Sequence, residues 1–289
     1  MTTFLICKVV FLVGGEKMKR LFFGLVSIVC SLFIITGCTQ TSGSDQKEIR
    51  LGFTPGPYSD QVKKAVQPYL EKKGYKIKIV EFNSPNETNP ALTNKDIDAN
   101  IFQSTAFMKS YAKENNAKIS GIIQVPSAPQ GVYSEKHKSL DDLKDGMKIG
   151  VPNDPVNLER ALRILEGIGW VKLKENVNIL TISEKDITFK KKDFKLVPLE
   201  SPQIPRAMKD LDYGIINGNL VISSGHKLKE ALELEKTPSQ HRIIVTVRDE
   251  DKEKQFAKDL IEAYHSPEFK KMIQSEEQFE GFVLPDYLK

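Results

Sequence analysis

The stretch "GVPNDPVNLERAL", residues 150–162, combines the end of a β-like run with the start of a helix-like one. A β-like run ends at its start, and Asp154 then suits the cap of a helix whose first position is Pro155, where the missing N–H costs nothing. The apolar side chains that follow recur at helical spacing and form one stripe, at Leu158, Ala161, Leu162 and Leu165. The stretch therefore predicts a strand that leads directly into an amphipathic helix.

Two polar residues of this stretch are candidates for ligand binding. Asn157 and Arg160, three apart, share a second face near the helix N-terminus. Free N–H groups and a partial positive charge at that end would suit a carboxylate, and a guanidinium adds two parallel donors. The alternative is a helix cap followed by a surface arginine that pairs with Glu159 or Glu166. These residues alone leave both interpretations open.

Outward from this stretch, β-like and helix-like segments alternate. Residues 48–53 and 75–82 predict strands on either side of an amphipathic helix. Further strands are expected at "NILTI" (178–182), "FKLVPL" (194–199), "YGIING" (213–218) and "HRIIVTV" (241–247), and helices at 201–211, 223–232, 252–266 and 267–277. Alternation of this kind predicts an α/β protein with mainly parallel strands.

The chain changes character near residues 127–134, where several turn-forming residues precede a fresh α/β unit. A second change, near residues 241–248, leads into the C-terminal helices. We therefore predict two α/β lobes, one inserted in the other. Lobe 1 comprises residues 48–131 and 244–289, and lobe 2 comprises residues 132–243. Two crossings between the lobes would permit hinge motion.

The N-terminal stretch "MKRLFFGLVSIVCSLFIITGC", residues 18–38, has a basic start and an apolar run that is short for a membrane-spanning helix. Its ending resembles a bacterial lipobox, which implies lipidation of Cys38 and attachment to the extracytoplasmic side of the cell membrane. Residues 1–37 are then a signal peptide and residues 38–47 a lipidated cysteine with a flexible tether. The alternatives are a plain signal anchor or a buried helix. Met18 is a second candidate initiator.

Charge and composition exclude several functions. The formal charge is +4, but residues 1–37 hold four Lys or Arg and one Glu, so the remainder carries only +1 and gives no electrostatic argument for nucleic acid. All three cysteines fall within the first 38 residues. Signatures of hydrolases, nucleotide-binding loops and zinc proteases are absent, so we expect no enzyme activity and no cofactor. The histidines lack metal-ligand spacing and are expected to face solvent; they are His137, His226, His241 and His265.

Five segments carry a resemblance to a known family: "TPGPYSDQV" (54–62), "DIDANIFQS" (96–104), "PNDPVNLERAL" (152–162), "LESPQIPRAM" (199–208) and "IINGN" (215–219). In this order and spacing the chain resembles the NlpA-type methionine-binding lipoproteins, the substrate receptors of methionine ABC importers. The resemblance covers nearly everything after the cysteine. It implies a type II periplasmic-binding-protein fold, with an amino acid held in a cleft between two α/β lobes joined by two crossing strands.

The resemblance also implies roles for particular residues. Arg160 and Asn157 match the anchors of the ligand carboxylate, and Asn217 matches a polar anchor near the ligand amino group. Phe102 matches an aromatic wall, against which a thioether would gain from sulfur–aromatic contact. The alternatives are an ordinary core residue for Phe102 and a turn residue for Asn217. The implied partners are a permease with its ATPase, and the membrane through the lipid.

The chain departs from the family pattern at several pocket positions. Pro85 stands where an aromatic residue is common, Ser104 where a histidine is, and Leu220 where a tyrosine often is. Glu159 replaces a glycine beside Arg160. The expected ligand is accordingly methionine, a short methionine-containing peptide or another apolar amino acid. The alternative functions are a receptor for a different small carboxylate or for a metal, and a surface lipoprotein or adhesin that has lost transport.

Overall fold

The computed structural model describes residues 47–178 and 181–289, which form a mixed α/β structure with two five-stranded sheets. The expected fold class is confirmed. The signal peptide, Cys38 and most of the tether lie outside the described residues. Within the described ranges, no helix combines the length and the apolar character needed to cross a membrane.

The first sheet has the strand order β2-β1-β3-β12-β4. Its first three strands run parallel, and β12 pairs antiparallel with both β3 and β4. The strands are β1 Lys47–Phe53, β2 Tyr75–Glu81, β3 Ala99–Ser104, β4 Ile119–Gln124 and β12 Ile243–Arg248. All side chains of β3 are buried, as expected for a central strand covered on both faces.

The second sheet has the order β11-β5-β10-β6-β9. Parallel pairing joins β10, β6 and β9, whereas β5 pairs antiparallel with β10 and β11. These strands are β5 Gly131–Tyr133, β6 Lys148–Pro152, β9 Lys195–Leu199, β10 Tyr213–Ile216 and β11 Glu233–Leu234. A separate antiparallel pair consists of β7 Val171–Leu173 and β8 Ile187–Lys190.

Helices lie between the strands along the chain. The first is continuous over 57–72, with a π-helical turn at Val62–Val66 between α1 Pro57–Gln61 and α2 Gln67–Lys72. Pro68 follows that turn and lacks the N–H needed for a regular ladder, which accounts for the irregularity. The others are α3 Pro85–Thr93, α4 Thr105–Asn115, α5 Pro155–Gly167, α6 Ile204–Ala207, α7 Gly218–Ser223, α8 Gln255–His265 and α9 Pro267–Ser275.

The chain passes between the two sheets twice, once between β4 and β5 and once between β11 and β12. The second sheet has its own core around Trp170, the single tryptophan of the chain. The indole is 1% exposed and meets the ring of Tyr213 edge-on, with centroids 4.9 Å apart. The lobe boundaries expected at residues 131/132 and 243/244 stay a prediction.

Some expected elements differ in the structure. The segment 178–182 is not a strand at its described residues, because a turn closes between Thr181 and Asn178 through a 3.1 Å backbone hydrogen bond. The helix expected over 223–232 is wrong: α7 ends at Ser223, Gly225 adopts a positive φ of 87°, and a single 3₁₀ turn follows at Leu228–Glu230. Helix α3 was not expected, because Pro85 and Pro90 discourage such an assignment.

Candidate ligand-binding site

A cleft of about 830 Å³ lies between the two sheets. Its lining residues follow the carboxyl ends of parallel strands in both sheets, which is where open α/β sheets usually bind ligands. The first sheet contributes residues after β1, β2 and β3, and the second contributes residues after β6, β9 and β10. The lining includes Tyr58, Pro85, Phe102, Ser104, Asp154, Asn157, Arg160, Glu200, Arg206, Asn217 and Leu220.

Helix α5 starts as the sequence predicts. The Asp154 side chain caps it by accepting a hydrogen bond from the Asn157 backbone N–H at 2.9 Å, and Pro155 is its first residue. Both oxygens of Asp154 also accept from the Asn157 side-chain amide, at 3.1 and 3.0 Å. The amide oxygen of Asn157 accepts from Nη1 of Arg160 at 2.9 Å. One short chain of hydrogen bonds therefore runs from the cap to the guanidinium.

Arg160 is buried, with 7% of its side chain exposed, and it lines the cleft. The alternative was a surface Arg160 that pairs with Glu159 or Glu166. In the structure Arg163 contacts these two acids, at 3.1 and 2.8 Å. The expected proximity of Asn157 and Arg160 is confirmed. In the structure, however, both ends of the Asn157 amide are engaged within the chain, so this residue positions Arg160.

The partner of Arg160 is Glu235, a residue that the sequence did not single out. Nε of Arg160 donates to Oε2 at 3.1 Å, and Nη2 donates to Oε1. Oε1 also accepts from the Gln130 backbone N–H at 3.0 Å and from the Thr237 hydroxyl at 3.0 Å. The Glu235 side chain is only 6% exposed and is not among the residues that line the cleft. A fixed carboxylate therefore lies behind the guanidinium.

Electrostatics in this group follow from burial and pairing. Burial alone would raise the pKa of Glu235, but attraction to Arg160 outweighs it and lowers that pKa below the ordinary value. Burial would lower the pKa of Arg160, but attraction to Glu235 and the hydrogen bond between the two side chains raise it. Burial raises the pKa of Asp154, against the hydrogen bonds from Asn157. Pairing therefore favours the charged forms of both Arg160 and Glu235.

Asn217 directly follows β10, the strand that pairs with β6, and so lies in the same half of the cleft as Arg160. Its side-chain oxygen accepts a hydrogen bond from Nε2 of Gln130 at 2.6 Å. Gln130 lies in the segment between the sheets, so it joins Asn217 to Glu235. Gly218 makes the turn possible: a Cβ there would lie 2.3 Å from the carbonyl oxygen of Pro129. Asn217 itself lines the cleft.

The three side-chain pocket candidates all line the cleft. Phe102 is 8% exposed and meets Phe107 edge-on, with centroids 6.1 Å apart. The Ser104 hydroxyl caps α4 by accepting from the Phe107 N–H at 3.2 Å, so it has a structural task as well. Pro85 is the first residue of α3, whose cap is Ser84.

A buried amide network fixes the wall that carries these residues. Asn89 of α3 accepts from Asn100 and from Gln103 of β3, at 3.0 and 2.6 Å, and donates to Gln103 at 2.8 Å. Gln103 also reaches the Thr246 hydroxyl of β12 at 3.3 Å. All four side chains are buried. Because buried amides are costly to leave unpaired, the network holds α3 at a defined place beside the cleft.

Further cleft residues escaped the sequence reasoning, namely Tyr58, Glu200 and Arg206. The Tyr58 hydroxyl accepts from the Ala128 N–H at 3.3 Å, and burial raises its pKa. Glu200 and Arg206 lie in the segment "LESPQIPRAM", whose resemblance to the family was the available signal. His241 was expected to face solvent; that was wrong, since it is 3% exposed.

The family of the chain follows from comparison with known proteins. The family described as NlpA lipoprotein matches residues 49–287. This chain belongs to the NlpA lipoprotein family. The expected resemblance is therefore confirmed.

Relatives within the family carry informative names. The D-methionine-binding lipoprotein MetQ of Salmonella typhi is 33% identical over 249 residues, which cover 85% of this chain and 91% of the relative. The methionine-binding lipoprotein MetQ of Bacillus subtilis is 32% identical over 275 residues, covering 93% of this chain and 99% of the relative.

A solved structure shares the fold. The nutrient-binding protein of Burkholderia cenocepacia, solved bound to methionine, superposes with a TM-score of 0.77 at 36% identity, covering 82% of this chain and 99% of that one. Members of this family are substrate-binding proteins, so the expectation that the chain is not an enzyme is confirmed.

Proposed function

We propose that this NlpA-family chain is the methionine-binding receptor of an ABC importer. The observation that carries the proposal is Arg160, a guanidinium held inside a cleft between two sheets, at the N-terminus of the helix that follows a parallel strand. Such a position suits the carboxylate of an amino acid. The names of the relatives at about one third identity support methionine as the amino acid.

The proposed pose follows from the free donors. Arg160 has five N–H bonds, and the described residues take three of them, which leaves one on each Nη nitrogen for a ligand carboxylate. Asn217 would contact the amino group, and Asn157 would act through Arg160. Phe102 would pack against the thioether, with Ser104 and Pro85 completing the pocket.

The proposed mechanism is binding without chemistry. The ligand enters while the cleft is open, and closure of the two lobes about the segments between the sheets buries it. The closed receptor then delivers the ligand to a permease driven by an ATPase. A lipid on Cys38 would keep the receptor on the extracytoplasmic membrane surface and raise its concentration near that permease.

Native mass spectrometry of the protein, extracted from its membrane in mild detergent, tests the proposal. A released molecule with the mass of methionine is the expected result, and calorimetry with added L-methionine should then show one site per chain. Release of a methionine peptide or of another amino acid would change the identity of the ligand but leave the receptor function in place. Binding only of a different carboxylate or of a metal, or of nothing from an amino-acid panel, would contradict it.

The lipid anchor has its own test. Mass spectrometry of the mature N-terminus should find an acylated Cys38, with residues 1–37 removed. A Cys38→Ala variant should be released from membranes while binding its ligand with unchanged affinity. An unmodified cysteine in the mature protein would contradict the anchor and leave the binding function in place.

A further inference from the structure

The positive charge of Arg160 is already balanced inside the protein. Glu235 contacts Nε and Nη2, is held by two further hydrogen bonds from Gln130 and Thr237, and is as buried as the arginine itself. Four hydrogen bonds make this carboxylate a permanent partner rather than one that a ligand displaces. Arg160 therefore offers hydrogen-bond donors to the cleft, but Glu235 already neutralises its charge.

Other charged residues of the cleft do not restore a surplus of positive charge. Among the described lining residues, the second cation is Arg206, which is exposed. Asp154 and Glu200 also line the cleft and carry acidic groups. The acids of the lining, taken with Glu235, thus outnumber the bases by one. The cleft therefore offers a plain anion no surplus of positive charge.

A ligand carboxylate on the two free N–H bonds of Arg160 would place two carboxylates on one buried guanidinium. That arrangement has a net charge of −1, and burial of an uncompensated charge is costly. A ligand that carries an ammonium group next to its carboxylate brings the sum of Arg160, Glu235 and ligand back to zero. The ligand carboxylate can then accept hydrogen bonds from Arg160 without leaving an uncompensated buried charge.

We propose that Glu235 determines the charge class of the ligand: it neutralises Arg160, so the cleft accepts zwitterions with a free amino group and rejects simple carboxylic acids of the same shape. This inference rests on the proposed function and deepens it. Glu235 acts through Arg160 and touches no ligand atom. It is therefore a specificity-determining residue that positions Arg160 and sets the charge of the site.

The test compares two molecules with one side chain by calorimetry on the wild-type protein: L-methionine and its deamino analogue γ-methylthiobutyrate. The deamino acid is expected to bind at least about a hundredfold more weakly than methionine, because it adds a buried charge with no compensation. This comparison needs no variant. Binding of the deamino acid within about threefold of methionine would overturn the inference.

The Glu235→Gln variant tests whether the preference for methionine over the deamino acid depends on the charge of Glu235. It keeps the shape and an acceptor oxygen but removes the negative charge, so the preference for methionine over the deamino acid should fall by at least about tenfold. Glu233→Gln, at an exposed acid in β11 just before Glu235, is the matched control and should leave that ratio unchanged. A merely structural role for Glu235 would weaken both ligands alike, and an unchanged ratio in a folded Glu235→Gln protein would overturn the inference.

The outcomes distinguish a failure of the charge rule from a failure of the proposed function. If wild-type protein binds methionine and the deamino acid equally, the charge rule is wrong and the proposed function stands. If wild-type protein binds no member of an amino-acid panel, the proposed function is wrong and the charge rule falls with it.

Discussion

Nε2 of His241 lies 3.2 Å from Oε2 of Glu159, and both side chains are largely buried. Glu159 directly precedes Arg160 on α5, and His241 lies just before β12 of the first sheet. The contact thus joins the helix that carries the guanidinium to the segment that leads into β12 of the other sheet. Burial would raise the pKa of Glu159, but His241 and Arg163 outweigh it and hold that pKa below its ordinary value.

Glu159→Gln should reduce stability at neutral pH by about 0.5–1 kcal/mol, since the contact with Arg163 is partly open to solvent. A carboxyl whose folded pKa is depressed stabilises the protein above its ordinary pKa of 4.5 and loses that contribution as the pH falls below it. The difference between wild type and variant should therefore shrink in acid. Urea denaturation across that range measures it, with Glu87→Gln, an exposed acid, as control. A gap that stays constant with pH would contradict this prediction.

Arg160→Ala should abolish measurable methionine binding and lower the free energy of unfolding by about 3–5 kcal/mol, because Glu235 is left buried without its partner. Calorimetry and urea denaturation measure the two effects. A double variant, Arg160→Met with Glu235→Leu, removes both charges and should recover most of the stability without recovering binding. Binding by either variant would place the ligand site elsewhere.

Asp154→Ala should remove the cap of α5 and cost about 1 kcal/mol of stability. Because Asp154 also orients the Asn157 amide that holds Arg160, the same change should weaken ligand binding severalfold. Asp154→Asn keeps an acceptor for the helix N-terminus and should retain most of the stability. Denaturation curves and calorimetry on both variants check this. Equal affinities in wild type and Asp154→Ala would show that the hydrogen-bond chain does not position Arg160.

Phe102→Leu should lower the affinity for methionine by about three- to tenfold, the range of a lost sulfur–aromatic contact. Norleucine has a methylene in place of the sulfur, so its affinity should fall less than that of methionine in the Phe102→Leu variant. Competition calorimetry with both ligands gives the comparison. Phe269→Leu, a buried phenylalanine in α9, is the control and should affect stability alone. An equal loss for both ligands would mean that Phe102 supplies only apolar area.

Local signals sufficed for the strand-to-helix turn at residues 150–162. A cap, a proline at the first helical position and an apolar stripe agree there, and all are short-range features. The two-lobed arrangement was predicted from the changes of pattern near residues 127–134 and 241–248, and the resemblance agreed with it. The helix expected at residues 223–232 was wrong because Gly225 takes a left-handed conformation that ends it, which a periodic pattern does not reveal.

Glu235 shows why part of the site could not be predicted. It lies 75 residues from Arg160 along the chain, and it meets the guanidinium only because β11 pairs with β5 beside α5. A carboxylate in such a segment has no local signature. His241 was misjudged for the same reason: its burial depends on helices that pack from other parts of the chain.

Trp170 gives the protein an intrinsic optical reporter. As the single tryptophan, buried against Tyr213 in the core of the second sheet and absent from the cleft lining, it emits from one half of the molecule only. Fluorescence during denaturation therefore follows that core alone, whereas circular dichroism averages over both sheets. Any difference between the two transitions would reveal whether the halves unfold as one cooperative unit or in sequence, without an attached dye.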